Sequence, residues 1–220
     1  MKILQLTVHF SPNLGGVETH LDDLVQGLIK KNHKVFVLTY RPLSIKADWK
    51  VWQTERGVQI LRLPLLPGWF NKLSKVPTGE FFYLVPGLFI VLPLILFFFR
   101  PNVIHAHGLS AGFAGAFWGK IFGIRTVIST HSIYHFPKKG IYSRLAKRIF
   151  QTADYNMCLS NQSVSELMEL GVSPQKVGRF IYWVDLKKFK PVSKSLAKKE
   201  LNWKSKLSVL FVGRLVKEKG

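Results

Sequence analysis

Two histidine-bearing segments hold the residue types best suited to chemistry in this chain: His105-Ala106-His107-Gly108, and Thr130-His131-Ser132-Ile133-Tyr134-His135. Each directly follows an apolar run of strand character. Alternation along a strand sends neighbouring side chains to opposite faces, and the later histidine of the first pair, His107, reaches the crevice at the carboxyl end. His131 closes the next strand, so the two could line one cleft. A neutral imidazole both donates and accepts a hydrogen bond near neutral pH. Taken singly, each histidine is also compatible with a purely structural role.

Two further segments could contact a ligand. Gly15-Gly16, with Glu18 close behind, lies between a strand and a helix, where glycines admit a ligand to backbone amides and the helix N-terminus favours polar or anionic oxygen. A simple tight turn is the alternative, because the pattern is neither GxGxxG nor GxxxxGK[ST]. Near the C-terminus, Val212-Gly213-Arg214-Leu215-Val216-Lys217-Glu218-Lys219-Gly220 places fixed cations after a strand, where they could neutralise a leaving diphosphate. With no HExxH and no Asp-x-Asp, neither a metal nor any other cofactor is expected.

The elements that must position these residues alternate between strand and helix. Lys2 to Phe10 reads as a strand, and Val17, Leu21, Leu24, Val25 and Leu28 share one face of a helix ending near Lys31 to His33. Strands follow at Val35 to Tyr40, Gly57 to Leu63, Asn102 to Ala106, Thr126 to Thr130, Tyr155 to Ser160 and Lys176 to Tyr182. Helices are expected near Ala111 to Phe122, Tyr142 to Thr152 and Gln162 to Leu170. This rhythm predicts an α/β fold, a Rossmann-like parallel sheet with helices on both faces and ligands at the carboxyl ends of its strands. The expected domains are a lobe over 1–185, a basic linker over 186–206, and the first strand and phosphate-binding loop of a truncated second lobe over 207–220. Leu207 to Val212 would be that strand.

The chain has 220 residues, 47% of them hydrophobic, and a formal net charge of +20, which calls for an anionic partner such as a nucleic acid, a lipid or a phosphorylated substrate. Nucleic acid is disfavoured, because no helix-turn-helix, zinc-finger or aromatic-basic RNA motif is present and much of the charge sits in Lys187 to Lys206. The single cysteine, Cys158, excludes a disulfide framework, and the N-terminus lacks the features of a signal peptide, so a cytoplasmic setting is expected.

Phe81 to Phe99 carries no charge and is long enough to span a bilayer. Strands on either side of it belong to one sheet, however, and a crossing would separate them. Pro86 and Pro93 also favour a broken or shallow segment, either buried or interfacial, over a straight crossing. Just upstream, Trp69, Phe70, Lys72 and Lys75 mix aromatic anchors with positive charge as membrane-surface segments do, with a solvated loop as the alternative. Lys138, Lys139, Arg144, Lys147 and Arg148 read as a solvated helix face.

Taken in order, FSPNLGGVETH, VIHAHG, STHSIYHF, IYWVDLKKFKP and FVGRLVKEKG resemble the retaining GT-B glycosyltransferases of family 4, and the resemblance covers essentially the whole chain. It implies two Rossmann-like lobes facing a cleft, with residues 1 to about 185 as the N-terminal, acceptor-side lobe. It further implies that Gly15 and Gly16 approach the donor diphosphate or the acceptor, with Glu18 in the same turn. His107 would lie by the transferred sugar, His131 would line the acceptor side, and Arg214 with Lys219 would hold the diphosphate. The donor would be a nucleotide-diphosphate sugar and the configuration would be retained. The family's Glu-x7-Glu region would lie past Gly220, leaving this chain alone inactive or nearly so. GGVETH with HAHG and THSIYHF is similar to enzymes that glycosylate lipids, including the phosphatidylinositol N-acetylglucosaminyltransferase group, and implies a lipid-linked acceptor at the inner face of a membrane. Ile181-Tyr182-Trp183-Val184-Asp185 departs from the Asn-Gly-Val-Asp of many relatives. Two alternatives stay open: a non-catalytic lobe that binds glycolipid or anionic membrane, and a sugar-nucleotide epimerase of the same fold.

Overall fold

The computed structural model describes residues 1–42, 47–65, 72–73, 78–182, 184, 186, 189–204, 207 and 209–212. The chain divides into two compact units, Met1–Tyr182 and Trp183–Gly220.

The first unit runs β1 (Lys2–Leu6), α1 (Gly16–Lys30), β2 (Lys34–Tyr40), β3 (Trp52–Glu55), β4 (Val58–Leu63), α2 (Gly79–Phe99), β5 (Val103–His107), α3 (Gly108–Phe122), β6 (Arg125–Thr130), α4 (Ile141–Thr152), β7 (Tyr155–Cys158), α5 (Asn161–Glu169) and β8 (Val177–Arg179). The strands form one sheet in the order β3-β4-β2-β1-β5-β6-β7-β8. Strand order reverses direction at β1, which places its carboxyl end and that of β5 beside a crevice. The apolar strands are covered on both faces. Leu21 and Val25 of α1 close a smaller core with Phe10, Val35, Val37, Val58 and Ile60. The larger core lies under α2, α3 and α4 and contains Leu84, Leu88, Leu92, Leu96, Ile104, Ile128 and Phe150.

Two expectations need correction. The sheet is not wholly parallel: β3 pairs antiparallel with β4 through a two-residue turn in which Arg56 and Gly57 both have positive φ. Such turns match the twist of a hairpin, and Gly57 belongs to the turn and not to the strand. Second, Phe81 to Phe99 is not broken at its prolines but part of the single unbroken helix α2, with Pro86 and Pro93 inside it and one side buried as expected. A proline removes the N–H that would bond the carbonyl four residues earlier. The carbonyl released by Pro93 is that of Phe89, and it accepts a hydrogen bond of 2.8 Å from Trp118 Nε1 of α3, so the acceptor freed there keeps a partner. Leu207 and residues 209–212 pair with no strand among the described residues. Within the stretch expected to be linker, Lys194–Glu200 instead forms a short helix, α6, capped by the Ser193 side chain, which accepts from Leu196 N at 3.3 Å.

Helix α2 is long and apolar enough to cross a membrane by length and composition alone. Here Leu84, Leu88, Leu92 and Leu96, four residues apart, pack into the core, while Phe82, Ile90, Leu94, Phe97 and Phe98 on the other side are exposed. Helix α3 lies close on the sheet because small residues face it: a Cβ added at Gly119 would sit 2.1 Å from Thr126 Oγ1 and 2.9 Å from the Ile124 carbonyl oxygen.

Candidate functional site

At the carboxyl ends of β1, β5 and β6 the chain gathers a connected set of polar side chains. His107 ends β5 and caps α3, and the next residue, Gly108, has φ +83, a conformation that a side chain would strain. That single left-handed residue turns the chain from strand into helix with the imidazole aimed inward. His107 is 5% exposed and Gln5, on the neighbouring strand β1, 1%. His107 Nε2 lies 2.7 Å from Gln5 Oε1, and His107 Nδ1 lies 3.0 Å from His131 Nε2. His131 Nδ1 lies 2.7 Å from the Tyr182 hydroxyl. One proton arrangement satisfies all three: Tyr182 donates to His131, His131 to His107, and His107 to Gln5. Tyr182 stacks on His20 of α1 with ring centroids 4.1 Å apart, and His105 Nε2 lies 2.7 Å from Ser129 Oγ.

Every one of these imidazoles is held neutral. Burial lowers the His105 pKa to about 3 and that of His131 to about 4, and each is lowered further by neighbouring histidines. His107 is pushed well below its ordinary value by burial and by His105, His131 and His20, and His20 is lowered by burial, which outweighs the opposing effect of Asp23. The Tyr182 hydroxyl, raised to about 12 by burial and then by Glu18, stays protonated and able to donate.

This set borders a cavity of about 420 Å³ whose lining includes Thr7, His9, Glu18, Glu80, His107, Ser110, His131 and Tyr142. Among the described residues, no lysine or arginine lines it. Its outer wall, the loop after β6, is held by Glu166 of α5, whose two carboxylate oxygens accept from Tyr134 N at 3.0 Å and Phe136 N at 3.1 Å. On the other side, buried Arg62 of β4 donates from Nη2 to the Ser11 carbonyl at 2.6 Å and so fixes the loop leading to α1.

His107, His131 and Glu18 therefore share one cavity. Gly15 and Gly16 sit at the start of α1 but do not line it; a Cβ at Gly16 would meet only open space. Lys72 is exposed. Trp69, Phe70, Lys75, Arg214 and Lys219 lie outside the described residues. Gln5, Tyr182 and Glu166 were missed from the sequence. Gln5 lies mid-strand, more than a hundred residues before its histidine partner, and Glu166 looks like an ordinary residue of an amphipathic helix. For Tyr182 a signal existed, the departure from Asn-Gly-Val-Asp. Among the described residues no three His, Cys, Asp or Glu side chains are placed to hold a metal ion.

Comparison with known proteins gives this geometry a context. The chain is 27% identical over 223 residues to the phosphatidylinositol N-acetylglucosaminyltransferase GPI3 subunit of Saccharomyces cerevisiae, covering 99% of this chain and 47% of that protein. It is 27% identical to a phosphatidylinositol N-acetylglucosaminyltransferase subunit from Arabidopsis thaliana, covering 100% of this chain and 46% of that protein. The chain thus spans about half the length of the curated relatives it matches. Among solved structures, sucrose-phosphate synthase from Thermosynechococcus elongatus superposes with a TM-score of 0.69 at 20% identity, over 91% of this chain and 52% of that one. Anabaena HepE in complex with UDP does so with a TM-score of 0.62 at 19% identity, over 92% and 50%. These two likenesses show the fold, that of one lobe of GT-B glycosyltransferases. The family model of Glycosyltransferase Family 4 matches residues 14–187, and the chain belongs to that family.

Proposed function

We propose that this chain is the acceptor-side lobe of a retaining glycosyltransferase that moves a sugar from a nucleotide-diphosphate donor to a lipid-linked acceptor at a membrane surface. The observation that carries the reading is the row of neutral imidazoles at the carboxyl ends of β5 and β6, bordering one cavity whose described lining is free of lysine and arginine. In sugar transfer the bond between the anomeric carbon and the phosphate oxygen breaks and its electron pair leaves with the diphosphate. The acceptor hydroxyl attacks from the same face and gives up its proton to the departing phosphate oxygen. Neutral histidines suit the sugar side of that step, since they orient hydroxyls without opposing the positive charge that grows at the anomeric carbon. Both nitrogens of His107 are engaged, so a substrate hydroxyl takes over one of these hydrogen bonds, and His131, anchored by Tyr182, is the partner able to hand it on. The diphosphate needs cations that the described lining of this cavity does not supply, and Arg214 with Lys219 remain our candidates. No metal or organic cofactor is assigned.

The similarity to phosphatidylinositol N-acetylglucosaminyltransferase subunits supports a lipid acceptor, and the exposed apolar side of α2 supports work at a membrane, peripherally on its cytoplasmic face. The test is sugar transfer from a nucleotide sugar to phosphatidylinositol vesicles by the protein at its natural length, with His107→Ala as the variant. We expect at least a hundredfold loss of turnover, the scale of one lost preorganised hydrogen-bonding group, with circular dichroism unchanged. Wild-type turnover in the variant would overturn the assigned role.

A further inference from the structure

The face of the lobe away from the histidines carries a second cavity system. Between α3 and α4 runs a groove of about 430 Å³ with an apolar floor that includes Phe117, Ile121, Leu145 and Ile149, and with Lys120 and Arg148 among its lining. It shares Ala116, Lys120, Arg148 and Thr152 with an adjoining hollow of about 520 Å³, where Arg125 and Lys176 add two more cations against the single carboxylate of Asp154. That carboxylate is already occupied, accepting from Thr126 N at 2.7 Å. Lys176 is likewise committed, donating to the Gln151 and Ala153 carbonyls at 2.8 and 2.9 Å. Lys120, Arg125 and Arg148 enter no ion pair among the described residues.

Apolar surface and positive charge outside any ion pair are therefore joined end to end. The apolar part continues outward, because Phe117 packs against Phe89 of α2 with ring centroids 4.9 Å apart, and beyond it Ile90, Leu94, Phe97 and Phe98 are exposed. The system is separate from the histidine cavity. Arg125 opens β6 and Thr130 closes it, which puts the two sites roughly 17 Å apart along the strand.

We propose that the groove and the hollow together bind one anionic phospholipid of the membrane, with an acyl chain along Phe117, Ile121 and Leu145 and the phosphate met by Lys120, Arg125 and Arg148. The occupant follows from the charge and shape: a hydrocarbon ligand leaves the cations unused, and a free phosphate leaves the apolar groove empty. This deepens the membrane part of the proposed function and rests on that part alone. The site is separate from the histidine cavity and anchors the lobe; it is not the acceptor subsite.

The experiment compares the 220-residue chain and its variants on vesicles of phosphatidylcholine with and without phosphatidylserine. Wild type is expected to sediment with the mixed vesicles. Lys120→Glu with Arg148→Glu should cut partition about tenfold or more, since each basic residue near an anionic surface strengthens binding severalfold. Lys30→Glu with Lys31→Glu makes the same change of charge on the opposite face of the sheet and should alter partition less than about twofold. Equal losses from both pairs would mean that overall charge, and not a site, does the binding. A phosphatidylserine carrying a photoreactive group on its acyl chain should label peptides containing Phe117, Ile121 and Leu145. Labelling confined to α2 would overturn the groove and leave the membrane reading standing, whereas no sedimentation at all would overturn both. Glycerol phosphate should fail to compete; full competition would make the hollow a site for free phosphate and sink the lipid proposal.

Discussion

The two ends of the same sheet are opposites in charge. At the carboxyl end, buried imidazoles are kept neutral by one another and by exclusion of water, and no described lysine or arginine lines the cavity. At the amino end, Lys120, Arg125, Arg148 and Lys176 converge on one hollow in partial contact with solvent. A net charge of +20 therefore says nothing about the polarity of the candidate catalytic site. Most of the excess cations lie at the surface, with buried Arg62 an exception, and the histidine cluster stays neutral because an unpaired buried charge is far more costly than an exposed one.

The contrast can be broken most severely by placing a cation at the neutral end. Gln5→Lys puts an ammonium where the side chain is 1% exposed and faces His107, and we expect a loss of about 3–5 kcal/mol of stability, read from denaturant unfolding. Acid makes a graded version of the same change. The folded-state pKa values of His131 and His105 lie at about 4 and about 3, below the unfolded value near 6.5, so the unfolded chain binds more protons between these limits. Stability should be fully present above pH 6.5 and fall as pH drops toward 4, by about 1.4 kcal/mol per pH unit for each such histidine. Unfolding midpoints across that range, with His131→Asn reducing the slope, check the sign and the source.

A smaller effect separates the helix layer from both sites. Trp118→Phe keeps the ring against Phe89 but removes the donor to the carbonyl freed by Pro93, and should cost about 1 kcal/mol with no change in lipid partition. The smallest effect belongs to the cationic end. Lys120→Glu with Arg148→Glu alters exposed groups outside any ion pair among the described residues, and thermal unfolding should move by less than about 0.5 kcal/mol. If this pair destabilised the chain as much as Gln5→Lys, the opposition between the two ends would fail.

Local pattern was enough for the larger elements. The i, i+4, i+7 spacing of Val17, Leu21 and Leu24 forecast α1, and the apolar runs before His107 and His131 forecast strands β5 and β6, because burial against a sheet imposes a period that a short window of sequence records. Position at a strand end also sufficed to single out His107 and His131, since the side-chain period of two leaves little freedom in where each points. Boundaries were less legible: β1 stops at Leu6 instead of Phe10, and the hairpin at Arg56-Gly57 depends on a pairing that no single strand reveals.

What the sequence determined alone was the alternation of elements and the histidines at their ends, since both follow from backbone geometry within a few residues. What tertiary structure decided was everything carried by partners far apart in the chain: Gln5 beneath His107 at a separation of 102 residues, Tyr182 against His131 at 51, and Trp118 completing a proline-interrupted helix. The neutral charge state of the histidines belongs to the same class, because a pKa responds to desolvation and to neighbours in space, neither of which exists until the strands have met.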